Sequence, residues 1–193
     1  MPRQIILASS SPYRRQMLER IGLAFACHAP EIDEAALPGE DAAALVVRLS
    51  VAKAKAVAAH YPRALIIGSD QVAEHRGRII GKPGGHDEAA RQLRAMSAAT
   101  ITLHAGVALY NAARDECQTA VEPYEVALRE LPDALIERYL AAEQPYDCCG
   151  SIKAEGLGIA LLRRLRGHDP NALLGLPVIR LIDMLRNEGV ELV

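Results

Sequence analysis

Short apolar runs punctuate this chain, and segments with helical periodicity fill the spaces between them. Residues 4–8 and 65–67 are unbroken β-favouring runs, the pattern of strands buried on both faces. The second run stops at Gly68, where Ser69, Asp70 and Gln71 follow. Residues 23–29, 100–110, 119–128 and 159–165 predict further strands, with the polar segment 111–116 closing a hairpin between the two long ones. Residues 74–78 read as a second hairpin turn, with Ile79 and Ile80 returning. Residues 150–158 read as an extended segment with Ser151, Lys153 and Glu155 on one face.

Helices fall between these runs. Ser11 caps the first, Pro12 suits its first position and Gly22 closes it. A long helix over residues 42–60 places Leu45, Leu49, Ala52 and Ala56 on one face. Residues 86–97 bury Ala89, Leu93 and Met96, and residues 132–142 form a fourth helix. The fifth opens at Leu176-Pro177 and turns Ile179, Ile182 and Leu185 inward. Six or seven strands interleaved with five helices predict an α/β fold with a mixed sheet.

At 193 residues, half of them apolar, the chain is expected to form a single domain over residues 1–193 with a real core. A net charge of -2 with mixed signs gives no footprint for nucleic acid or a membrane surface. The four cysteines, Cys27, Cys117, Cys148 and Cys149, lack Cys-x-x-Cys spacing, so buried free thiols in a reducing compartment are expected. The apolar run near the N-terminus is too short for a signal peptide, and no run matches the roughly 20 residues of a membrane span. A cytoplasmic protein is the expectation.

The candidate chemistry is polar punctuation of the apolar pattern. Ligands of open α/β sheets sit outside the carboxyl ends of strands, and Asp70 with Gln71 follows such a run. Ser-Asp is also ordinary turn chemistry, so both readings of Asp70 stand on this stretch alone. Ser9, Ser11, Arg14 and Arg15 combine a hydroxyl-rich turn with guanidiniums at a helix N-terminus. The macrodipole disfavours cations there unless an anion is bound, so the stretch reads either as a phosphate cradle or as two arginines reaching into solvent. Glu31, Asp33 and Glu34 form either a solvated acidic turn or a seat for a hard cation. Lys82, between Gly81 and Pro83, is a cation on a rigid loop. Lys53 and Lys55 lie about 200° apart on their helix, so at most one of them faces a cleft.

In order, Ser9-x-Ser11-x-x-Arg14-Arg15, Glu34, Ser69-Asp70-Gln71, Gly81-Lys82-Pro83, Gly150-Ser151-x-Lys153-x-Glu155-Gly156 and Gly175-Leu176-Pro177 resemble the motifs of Maf-like nucleoside triphosphate pyrophosphatases. The resemblance runs along essentially the whole chain. It departs at Ser97-Ala98-Ala99, where the family often has Ser-Gly. It implies an α/β fold of the Maf/ITPase type, with a mixed sheet flanked by helices and two lobes around a central cleft. It also implies hydrolysis of a nucleoside triphosphate to the monophosphate and pyrophosphate with a divalent metal cation, Mg²⁺ or Mn²⁺, and a homodimer.

By that resemblance Asp70 is the proton acceptor, and Glu34 with Asp70 holds the metal. Arg14, Lys82, Ser9 and Ser11 bind the triphosphate, with Lys53 and Lys153 as weaker candidates. Tyr13, Gln71 and Glu155 match the branch acting on 7-methyl-GTP. A carboxylate such as Glu155 accepts both N–H groups of a guanine edge, and a cationic methylated base favours an aromatic face. Tyr13 as a packing residue at the helix end is the other reading. The alternatives for function are a dTTP/UTP pyrophosphatase of the same family and a nucleotide-binding regulator of cell division without turnover.

Overall fold

The computed structural model describes residues 3–193. Among these, seven strands and five α-helices form one open mixed sheet with helices packed against it. The strands are β1 (Ile5–Ala8), β2 (Ala26–Cys27), β3 (Leu65–His75), β4 (Arg78–Ile80), β5 (Thr100–Asn111), β6 (Glu116–Leu128) and β7 (Leu162–Arg166). The helices are α1 (Pro12–Arg20), α2 (Ala42–Ala58), α3 (His86–Met96), α4 (Asp133–Glu143) and α5 (Val178–Asn187). The sheet runs β2-β1-β3-β5-β6-β7, with β4 on the far half of β3. Strands β2, β1 and β3 are parallel, and every later pairing is antiparallel.

The long strands β3, β5 and β6 reach through two groups of core residues. One half is packed by α1, α2 and α5, including Leu18, Leu49, Ile67 and Leu181. The other is packed by α3 and α4, including Leu93, Met96, Ile136 and Leu140. A cleft opens between them.

Strand β3 differs most from expectation. It does not end at Gly68 but continues to His75, because β5 pairs with it residue for residue from Leu65↔Asn111 to Glu74↔Thr102. Ser69, Asp70 and Gln71 are therefore mid-strand residues. Their polarity records what lies over the sheet rather than where the strand stops. Pleating sends Ser69 and Gln71 to one face and Asp70 to the other.

Helix α2 lies directly on the Asp70 face. A Cβ on Gly68 would stand 2.0 Å from Ser50 O, and one on Gly106, the β5 partner of Asp70, 2.5 Å from Val46 O. The absent side chains let the helix backbone approach the strands. The buried face of α2 is Ala42, Leu45, Val46, Leu49, Ser50, Lys53, Ala54 and Val57, so it includes Lys53 and leaves Ala56 exposed. In α5 the buried set is Val178, Leu181, Met184 and Leu185, whereas Ile179 is exposed.

The extended reading of residues 150–158 is replaced by two 3-10 turns, Cys149–Ser151 and Leu157–Leu161. Gly150 at φ 65 and Ser151 at φ 59 turn the chain left-handed and prevent a strand. The predicted strand 159–165 consequently starts at Leu162, and a third 3-10 turn, Pro170–Leu174, lies between it and α5. Ala98, at the departure from Ser-Gly, adopts φ 58, where glycine is favoured. All four cysteines are free, but Cys27 and Cys117 are exposed rather than buried.

Candidate functional site

The cleft has a volume of ≈ 540 Å³ and is lined from both halves of the molecule. Ser9, Ser11, Tyr13 and Arg14 come from the β1–α1 turn, and Glu34 from the loop before α2. Lys53 comes from α2, Asp70 from β3 and Lys82 from the loop after β4. Cys148, Cys149 and Glu155 come from the segment after α4.

At its floor, Lys53 Nζ donates to Asp70 Oδ1 at 2.6 Å and lies 2.9 Å from Glu34 Oε1. The close seating of α2 on Gly68 and Gly106 makes this contact, because it brings a helix lysine down to a mid-strand carboxylate. Burial raises the Glu34 carboxyl, but the hydrogen bond and charge of Lys53, with Lys82 and Arg14 nearby, outweigh it and lower the net value. Arg48 steadies the Glu34 loop. It grips Glu40 through Nε at 2.6 Å and Nη2 at 2.8 Å, and Nη2 also donates to Ala35 O at 2.9 Å.

Ser11 caps α1 by accepting from the Arg14 amide at 3.4 Å and gives its own amide to Ser9 Oγ at 3.1 Å. Arg14 folds inward. Its Nε donates to Gly175 O at 2.8 Å, and Nη1 reaches Ser9 Oγ at 3.4 Å. Burial lowers its pKa, against the opposing pull of Asp70, Cys149 and Glu34. Arg15 does not join this cradle. It is exposed and pairs with Glu19 at 2.8 Å.

Gly175 O receives both Arg14 Nε and Ser69 Oγ, the latter at 2.9 Å. Its φ of 93 is a glycine conformation, and a Cβ would stand 3.3 Å from Gln71 Oε1. This is the physical content of Gly175-Leu176-Pro177. Gln71 Nε2 donates to Ala172 O at 2.8 Å and Leu173 O at 3.2 Å. Its amide hydrogens therefore fasten the Pro170–Leu174 turn, while the side chain also lines the cleft.

Lys82 is exposed on the cleft rim and has no carboxylate within ion-pair distance among the described residues. Lys153 is committed elsewhere, 2.7 Å from Glu143, which also accepts from Leu157 N at 2.7 Å. Tyr13 and Glu155 share one end of the cleft. The Tyr13 phenol is pushed up to about 12 by burial first, then by Cys148 and Glu155. The Cys148 thiol is likewise raised to about 12, by burial and then Asp147, so it is protonated at neutral pH. Cys149 Sγ donates to Gln71 O at 3.2 Å, and burial raises its thiol too.

Sequence reasoning gave Lys53 only as a weaker phosphate ligand and did not single out Arg48 or a cleft position for Cys148 and Cys149. Lys53 had a usable signal, since it lies four residues after Leu49 on the face that Leu45 and Leu49 define. Arg48 had none, because its partners belong to an irregular loop. The described residues contain no group of three or more His, Cys, Asp or Glu side chains placed to hold a metal. Glu34 and Asp70 each give one oxygen to Lys53 Nζ and leave the other without a protein donor among the described residues. Two carboxylate oxygens with phosphate and water completing the shell suit Mg²⁺.

The family model described as Maf-like protein matches residues 4–188. A 7-methyl-GTP pyrophosphatase of Pseudomonas syringae pv. tomato is 54% identical over 187 residues, covering 97% of both chains. One from Methylobacillus flagellatus is 51% identical and covers 98% of both. Among solved structures, the Staphylococcus aureus Ham1 protein aligns with a TM-score of 0.47 at 12% identity, over 65% of this chain and 72% of that one.

Proposed function

The chain belongs to the Maf-like family, and on that premise we propose that it hydrolyses 7-methyl-GTP to 7-methyl-GMP and pyrophosphate. The observation that carries the chemistry is the contact of Lys53 with Asp70 and Glu34 on the floor of a cleft rimmed by Arg14 and Lys82. Asp70 Oδ2 faces no protein donor among the described residues, so that oxygen accepts the proton of the attacking water. Lys53, anchored on Oδ1, fixes the carboxylate's orientation. The water attacks at the phosphoanhydride between the α and β phosphates. Arg14 and Lys82 then balance the charge gathering on the pyrophosphate leaving group.

Glu34 and Asp70 are the residues that would hold a divalent cation, Mg²⁺ or Mn²⁺. When bound, such a cation neutralises phosphate charge and makes a coordinated water more acidic. Ser9 and Ser11, which line the same cleft, would support phosphate oxygens.

At the other end of the cleft, Tyr13 offers an aromatic face and Glu155 a carboxylate to a cationic 7-methylguanine. The names of relatives at 50% identity or more support this choice of base. Pyrophosphate release from 7-methyl-GTP, GTP, dTTP, UTP and CTP tests it in wild type and Glu155→Gln. The expected outcome is 7-methyl-GTP first in wild type. In the variant, preference over GTP falls by the equivalent of about 0.2–1 kcal/mol, the worth of an exposed charge pair. Turnover centred on dTTP or UTP, or an unchanged preference in the variant, contradicts the reading.

A further inference from the structure

Behind the cleft lies a buried polar cluster that no substrate would touch. Ser151 is fully buried, and its Oγ donates to Gln92 Oε1 on α3 at 2.7 Å. Gln92 Nε2 faces Gly81 O at 3.4 Å, and Gly150 N donates to the same carbonyl at 3.2 Å. Gly81 is the residue before Lys82. On the other side, the hydroxyl of Tyr139 on α4 donates to Ser151 O at 3.1 Å and accepts from Lys153 N at 3.0 Å. Lys153 opens the turn that carries Glu155. Gln92, Ser151 and Tyr139 are each less than a tenth exposed, and none lines the cleft.

The backbone at Ser151 adds an independent argument. At φ 59 it occupies the left-handed region, which favours glycine, and the preceding Gly150 already sits there. A glycine at 151 would relax the chain but remove the hydroxyl. A serine held there is explained by its bond to Gln92, not by the turn.

We propose that Gln92, Ser151 and Tyr139 are positioning residues forming one strut that sets the Lys82 phosphate loop against the Glu155 base loop. Because both loops hang on the same three side chains, phosphate binding and base choice are coupled. Loosening the strut moves Lys82 and Glu155 relative to each other, so the correct base loses more than a poorly matched one. The proposal rests on the 7-methyl-GTP reading.

The test is steady-state pyrophosphate release with 7-methyl-GTP and GTP for wild type, Ser151→Gly, Tyr139→Phe and Gln92→Met, with thermal melting of each. Ser151→Gly relaxes the backbone and Tyr139→Phe keeps the ring, so these two folds are the safest to compare. We expect melting temperatures a few degrees below wild type, since each change leaves a buried polar atom without its partner, but folded protein at the assay temperature. We expect kcat/KM for 7-methyl-GTP down about tenfold, the scale of a small misplacement in the site. The 7-methyl-GTP to GTP ratio should fall at least threefold. Equal losses on both nucleotides, or no loss in stably folded Ser151→Gly and Tyr139→Phe, overturn the strut. A wild type that does not prefer 7-methyl-GTP overturns the underlying functional reading instead, and the strut's role in base choice with it.

Discussion

Lys53 Nζ stands 2.6 Å from Asp70 Oδ1, and both side chains are less than a tenth exposed. The ammonium lies between the two carboxylates that would receive a cation. It compensates their charge in the free protein and keeps Asp70 aimed along one direction.

Replacing Lys53 by Met leaves a buried carboxylate without its partner. The expected loss is about 3–5 kcal/mol in urea unfolding, together with activity. Added Mn²⁺ should restore part of the stability, because a cation takes over between Asp70 and Glu34. The same loss with and without Mn²⁺ would argue against a shared cation seat.

The approach of α2 depends on Gly68. Its Cβ would stand 2.0 Å from a backbone oxygen that cannot swing aside. Gly68→Ala should cost about 3 kcal/mol or more and lift Lys53 away from Asp70. Loss of stability and of pyrophosphate release should appear together; a stable, active variant would contradict the packing argument.

Ala98 gives the opposite sign. At φ 58 it carries strain that glycine lacks, so Ala98→Gly should stabilise the fold by roughly 0.5–1 kcal/mol with unchanged kinetics. Thermal melting checks this, and a lower melting temperature would refute it.

The acid limb has a named contributor. The Glu40 carboxyl is pulled down to about 2, first by the Arg48 hydrogen bonds and then by the Leu37 amide. Its folded value lies below the ordinary 4.5, so the pair's stabilisation is complete above that pH and is lost as pH falls toward 2. Arg48→Gln should raise the acid-unfolding midpoint followed by circular dichroism and, by freeing the Ala35 carbonyl, loosen Glu34. An unchanged midpoint would remove Arg48 from this role.

The sheet and its helices were legible because their signals are local. Apolar runs marked the strands, Ser11 with Pro12 marked the start of α1, and the polar segment 111–116 marked the β5–β6 hairpin. What misled was polarity whose cause is tertiary. Ser69 and Asp70 look like a strand end, yet each answers a group from a distant element, Gly175 O and Lys53 Nζ. Residues 151, 153 and 155 look like one face. Two consecutive left-handed residues instead send Ser151 inward to Gln92, Lys153 to Glu143, and Glu155 to the exposed end of the cleft. Motif order identified most of the residues that meet in the cleft, but the links among them, through Arg48, Gln92 and Tyr139, are side chains spaced far apart along the chain.

In the proposed mechanism Asp70 accepts the proton in hydrolysis of 7-methyl-GTP. Asp70→Asn keeps the shape and an acceptor oxygen for Lys53 but removes the base, so it is measured beside wild type for pyrophosphate release, with nucleotide binding followed in parallel. Turnover is expected to fall by about 10²–10⁴-fold with binding largely retained. Turnover near the wild-type rate in a folded Asp70→Asn protein would contradict this role for Asp70.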